Sequence, residues 1–163
     1  DAPHPDDPVF AGHEVRVIAS ARLSLEAAAR RAEALGVPAV ILSDAIEGEA
    51  RDVGLVHAAI AREVAERGRP FAAPVVILSG GETTVTLRGT GGRGGRNTEF
   101  LLAMVPHLEG LSGVTVLAAD TDGIDGSQDN AGAFADAQSA ARMRAGGCNP
   151  MAALAAHDAW GCL

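Results

Sequence analysis

Three stretches of the chain carry residue types suited to a negatively charged ligand. Seven of the sixteen residues from Gly80 to Gly95 are glycine, a density that costs folding entropy and calls for a reason such as close backbone approach to a ligand. Ser79, Gly80, Gly81, Glu82 and Thr83 follow the apolar run Val75-Val-Ile-Leu78, which places them at the carboxyl end of a buried strand, where ligand sites of α/β sheets concentrate. Gly92, Gly94, Gly95, Arg96 and Asn97 lead into a helical pattern, whose first N–H groups and dipole favour a phosphate or carboxylate. Arg93 and Arg96 would add fixed positive charge there. The third stretch, Asp120-Thr-Asp122-Gly-Ile-Asp125-Gly126, sets three carboxylates within six residues. Asp120 and Asp122 are candidates to hold Mg2+, and Asp122 and Asp125 to accept a proton from a substrate hydroxyl. An EF-hand loop is excluded, because Ile124 and Asp125 fall where that loop needs an oxygen ligand and a glycine.

Each stretch also admits another reading. The glycines could form a flexible hairpin before an ordinary helix, and the aspartates a turn capped on its own backbone. Gly89-Thr-Gly-Gly-Arg-Gly94 also matches the GxGxxG pattern of nicotinamide-binding folds. The alternating segment Thr84-Val-Thr-Leu87 speaks against it, since the strand entering such a loop is normally buried on both faces. Asp129 and Asn130 read as caps, and His13, His57, His107 and His157 as surface or satisfied core groups.

Composition narrows the partners. The formal charge of −8 offers no basic field for nucleic acid or an anionic membrane, and no apolar run suits a spanning helix. A cytoplasmic protein is expected. All 13 basic residues are arginine, so lysine-dependent chemistry has to come from elsewhere and no P-loop exists in the sequence. Cys148 and Cys162 lack disulfide-framework or zinc spacing and are expected as reduced thiols.

The elements that must position these residues alternate between strand and helix. Residues 1–13 read as a linker or interdomain segment and 14–163 as a single domain. Strands are expected at Val15–Ile18, Val37–Leu42, Val75–Leu78, Thr84–Leu87 and Val114–Ala119. Helices are expected from Ser24 to Gly36, through Val53, Val56, Ile60 and Val64 to Gly68, from Asn97 to Leu108 with a kink at Pro106, from Asp136 to Ala145, and after Asn149-Pro150. The pattern implies an α/β fold, a layered α/β/α domain with a mainly parallel, mixed sheet and an antiparallel pair near Val75–Leu87. The apolar end at Trp160–Leu163 reads as a truncation.

Taken together, Ser79-Gly-Gly-Glu-Thr-Thr-Val-Thr86, Gly94-Gly-Arg-Asn-Thr-Glu-Phe100, Asp120-Thr-Asp-Gly-Ile-Asp-Gly126 and Ala131-Gly-Ala133 resemble the MOFRL domain of the type II glycerate kinases. That family also carries the name hydroxypyruvate reductase of tartrate utilisation. Val17-Ile-Ala-Ser20 and Glu47-Gly-Glu-Ala-Arg51 extend the likeness over nearly the whole chain. The resemblance implies a two-domain enzyme that transfers the ATP γ-phosphate to the 2-hydroxyl of D-glycerate. Its amino-terminal domain would supply an important lysine across a cleft, and this piece alone would be inactive. It makes Arg96 the charge stabiliser, with Ser79 to Thr83, Gly92, Gly94, Gly95 and Asn97 around phosphate or the glycerate carboxylate. An NAD(P)-dependent hydroxypyruvate reductase and a non-catalytic ligand-binding module are the rivals. The sequence leaves the oligomeric state open, a homo-oligomer included. An extra Gly-Arg in the loop and Pro106 depart from the family pattern.

Overall fold

The computed structural model describes every residue except Asp1, Val15 and Arg88. After a 3-10 turn at Pro8–Phe10, the described elements run α1 (Ala21–Ala34), β1 (Ala39–Glu49), α2 (Ala50–Arg67), β2 (Val76–Thr84), α3 (Arg96–Leu108), β3 (Thr115–Ala119), β4 (Gly132–Asp136), α4 (Ser139–Ala145) and α5 (Pro150–Ala155). The expected strand at Val15–Ile18 partly falls outside the described residues. Its described part, Arg16 to Ile18, forms no strand, and Val17 and Ile18 are 74% and 89% exposed. The cap of α1 is Ser20 rather than Ser24, its side chain accepting from Leu23 N–H at 3.3 Å.

Among the described residues the strands form two pairs, β1 parallel to β2 and β3 antiparallel to β4. The α/β class therefore holds, while the antiparallel pair lies at β3–β4 and not near Val75–Leu87. Ser79-Gly-Gly-Glu-Thr83, expected as a loop, is the second half of one long strand. There Ile46 pairs with Gly81 and Gly48 with Thr83, after register shifts in β1 around Ser43. Gly81 has φ +153°, and a Cβ on it would overlap the backbone of Ile46. Its need for glycine thus comes from the neighbouring strand. Ser79 and Gly80 face opposite sides of β2: the Ser79 hydroxyl meets His57 of α2, whereas a Cβ on Gly80 would meet Leu25 of α1 at 3.3 Å. That alternation puts α1 and α2 on opposite faces of the parallel pair.

Helix α3 is the centre of the core. Leu101, Leu102, Ala103, Met104, Val105 and Leu108 are all buried, and the helix packs on α2, β3, β4, α4 and α5. Pro106 sits in its last turn, two residues before its end. Toward α3, α2 presents Ala50, Gly54 and Ala58, not the expected valine stripe, and Val56 is exposed. A Cβ on Gly54 would stand 2.5 Å from Phe100 O, so small residues let the two backbones close together. On its other side α3 meets Val116, Ala118, Ala133 and Ala135 of β3–β4. Asn149 caps α5 as expected, accepting from Met151 and Ala152 N–H. Cys148 and Cys162 are joined in a disulfide, with Cα atoms 5.6 Å apart. The expectation of free thiols failed because the fold returns the chain past the end of α4, a contact that spacing does not encode.

After β2 the chain is tied down by Glu49, whose carboxylate accepts from Thr86 N–H at 3.1 Å and from the Thr86 hydroxyl. These bonds hold the Glu49 carboxyl below the usual carboxylate range. Its contribution is therefore complete above the ordinary glutamate range near pH ~4.3 and is lost as pH falls through the lowered folded value. Glu49→Gln should flatten the acid side of the stability–pH curve while leaving neutral stability nearly unchanged, as read by urea unfolding at stepped pH. Gly81→Ala should destabilise the protein by about 3 kcal/mol, because strain and backbone overlap coincide there. An unchanged denaturation midpoint would show that β1 and β2 are not held at this register.

Candidate active site

A hollow of about 500 Å³ lies where four segments meet. The chain after β2 contributes Val85 and Leu87; the entry to α3 contributes Gly94, Gly95, Arg96 and Glu99. The turn after β3 supplies Asp122, Ile124 and Gly126, and the segment after α5 supplies His157 and Ala159. The second half of the glycine-rich stretch, Arg96 and the aspartate turn therefore open onto one space.

Arg96 joins the ends of two strands. Its Nη1 pairs with Glu82 at the end of β2, and its Nη2 lies 2.7 Å from Asp120 Oδ2 just after β3. The Glu82 side chain is 72% exposed and that of Asp120 only 18%. Asp120 is thus the firmer partner, since exposed ion pairs contribute little.

The first turn of α3 already holds an anion. Asp125 is fully buried; its Oδ1 accepts from Asn97 N–H (2.9 Å) and Asn97 Nδ2 (3.2 Å), and its Oδ2 from Thr98 N–H (2.8 Å) and Thr98 Oγ1 (2.7 Å). With both oxygens so engaged, Asp125 is a cap of α3, and the helix dipole stabilises its charge. Gly95 is the contact surface for this carboxylate, since a Cβ there would come 2.5 Å from Asp125 Oδ1. Much of the glycine loop is pinned as well. Gly92 N–H donates to Ala156 O (3.1 Å), Arg93 N–H to Asp158 Oδ1 (3.1 Å), and Trp160 N–H to Arg93 O (3.0 Å), while the Arg93 guanidinium stacks 4.6 Å over the Trp160 ring. Among the described residues the amides of Gly94 and Arg96 have no acceptor. They are the N–H groups available to a ligand in the hollow.

The sequence-predicted residues are therefore sorted by the fold. Gly94, Gly95, Arg96 and Asp122 line the hollow, with Glu82 and Asp120 attached through Arg96. Asn97 and Asp125 lie behind it, and Gly92 is pinned to Ala156. Ser79, Gly80, Gly81 and Thr83 lie within β2 and do not line it. His57 is a satisfied group, bonded to Val53 O (2.8 Å) and Ser79 Oγ (3.0 Å). Among the described residues no group of three or more His, Cys, Asp or Glu side chains could hold a metal ion. Asp120 and Asp122 match instead what Mg2+ takes from proteins when phosphates and water complete its shell, one or two carboxylates.

Sequence reading missed the wall opposite Arg96. Glu99, 2% exposed, accepts from Arg51 Nε (2.8 Å) and Nη2 (2.5 Å), and its Oε2 lies 3.0 Å from His157 Nδ1. His157 has φ +51°, the only described non-glycine residue with positive φ. Arg51, Glu99 and His157 come from three distant segments, so no local spacing announces them. A glutamate in the first turn of an otherwise apolar helix was the one available signal.

The MOFRL family profile matches residues 75–163. A relative from Agrobacterium vitis that carries a hydroxypyruvate reductase name is 53% identical over 148 residues, covering 90% of this chain and 34% of the relative. The glycerate 2-kinase of Pyrococcus horikoshii is 44% identical over 144 residues, covering 88% of this chain and 32% of that one. The crystal structure of a glycerate kinase from Thermotoga maritima superposes with a TM-score of 0.87 at 35% identity, covering 92% of this chain and 36% of that one. The chain spans about a third of the length of these relatives. With the profile covering more than half of its residues, the chain belongs to the MOFRL family.

Proposed function

We propose that this chain forms one wall of the active site of a cytoplasmic, ATP-dependent glycerate 2-kinase that converts D-glycerate to 2-phosphoglycerate, the facing wall belonging to an amino-terminal domain of the whole protein. The observation that carries the reading is Arg96, held by Asp120 at the edge of a hollow lined by Gly94 and Gly95. Phosphoryl transfer is catalysed mainly by positioning and charge stabilisation. The exposed Glu82 can be exchanged for a phosphoryl oxygen at small cost, while Asp120 keeps the guanidinium aimed. Asp120 and Asp122 would hold Mg2+ bridged to the nucleotide phosphates, which would neutralise charge on the transferring group. Asp125, Asn97 and Thr98 fix the entry to α3, and with it the amides of Gly94 and Arg96. Ser79 to Thr83 support the site through β2, by carrying Glu82.

The hydroxypyruvate reductase name of the Agrobacterium vitis relative keeps a second reading in view. Against it, a dinucleotide fold seats its pyrophosphate on the first amides after the glycine loop, and here Asn97 and Thr98 N–H already bond Asp125.

The deciding assay supplies the full-length protein with glycerate and MgATP, or with hydroxypyruvate and NAD(P)H. Formation of 2-phosphoglycerate is expected; oxidation of the reduced cofactor without it would replace the kinase reading. In the full-length enzyme Arg96→Ala should lower kcat by about 10²- to 10³-fold, the usual loss on removing a preorganised charge stabiliser. The melting midpoint should stay within a few degrees, and near-normal turnover would remove Arg96 from the mechanism.

A further inference from the structure

The hydrogen atoms around Glu99 can be counted. Arg51 Nη2 carries two, which go to Glu99 Oε1 (2.5 Å) and Leu154 O (2.9 Å). It therefore has none left for His157 Nδ1, although that atom is 2.9 Å away. Glu99 Oε2, on a side chain only 3% exposed, has His157 Nδ1 at 3.0 Å as its one donor among the described residues. A buried carboxylate oxygen without a donor is costly, so Nδ1 carries the hydrogen. Nε2 is then left with its lone pair. It has no partner among the described residues and is not among the sealed, unpaired polar atoms, while its ring lines the hollow that also holds Arg96 and Asp122.

This arrangement is expensive to maintain. A buried ion pair is often no more stable than apolar side chains of the same volume, and a histidine in the left-handed region adds strain of order 1–3 kcal/mol. Such costs concentrate at functional sites. The segment bearing His157 is also bound to the loop before Arg96 at Ala156, Asp158 and Trp160, so base and arginine are fixed relative to each other. The charged groups near the imidazole are Glu99 of α3, Arg51 of α2, and Arg96 and Asp122 across the hollow.

We propose that His157 is a catalytic base whose Nε2 takes the proton from the attacking hydroxyl of the substrate, with Glu99 and Arg51 as positioning residues. The assignment rests on the kinase reading and adds to it. As the substrate oxygen bonds to the γ-phosphorus, the bond from phosphorus to the leaving nucleoside diphosphate breaks. The hydroxyl proton passes to Nε2, giving an imidazolium paired with Glu99, and then leaves to solvent. A carboxylate holding Nδ1–H so that Nε2 accepts is the same division of labour as in carboxylate–histidine catalytic pairs.

The test uses the full-length enzyme with glycerate and MgATP. His157→Asn removes the base while keeping a residue that tolerates positive φ. It should lower kcat by about 10²-fold or more, the usual share of a general base. The KM for glycerate should change less than threefold, and the acid limb of the pH–kcat profile should disappear. In the wild type, nitrogen NMR of labelled histidine should show the Nδ1–H tautomer at neutral pH, and Glu99→Gln should mix the tautomers. An active wild type with undiminished kcat in His157→Asn, or an Nε2–H tautomer at His157, overturns this inference alone. A folded wild type that makes no 2-phosphoglycerate overturns the kinase reading and this inference together.

Discussion

A single buried carboxylate organises the region. Asp125, fully buried, ties the turn after β3 to the first turn of α3 through the amides of Asn97 and Thr98. A carboxylate out of water is tolerable only when its lone pairs are filled, and here both oxygens are filled by the one helix end whose dipole favours them. The charge therefore specifies where α3 begins and how the loop before it approaches. Gly95 lies against that carboxylate, so the bare backbone there serves the protein's own anion before any ligand.

From this junction the rest of the site is dependent geometry. α3 is buried along most of its length, so its orientation is set by packing against α2 on one side and β3–β4 on the other. Arg96 and Glu99 project from its first turn. Arg96 reaches the ends of β2 and β3, and Glu99 reaches Arg51 and His157. One helix start thus aims a cation and a carboxylate-bound imidazole at the same hollow.

Much of this was legible in the sequence where the signal is local. The extents of α2 and α3, the Asn149 cap of α5 and the strand at Thr115–Ala119 follow from periodicity and capping chemistry. So did the meeting of the second half of the glycine stretch, Arg96 and the aspartate turn. What was misread is nonlocal. Gly80 and Gly81 resemble a ligand loop because sequence records only the need for a missing Cβ, not whether a ligand or a neighbouring strand imposes it. The buried face of α2 was assigned to valines because apolar size is visible and close helix approach through Gly54 is not. Arg51, Glu99 and His157 could be joined only by the fold.

The two strand pairs have a further implication. Leu117 and Phe134 are directly opposite each other on β3 and β4, and both side chains are largely exposed, 58% and 68%. The inner face of that pair is covered by α3, so the outer one presents an oily cross-strand patch flanked by unpaired peptide edges. Such surfaces invite edge-to-edge stacking of molecules. Handled as an isolated piece, this polypeptide would be governed by colloidal behaviour as much as by its folding equilibrium.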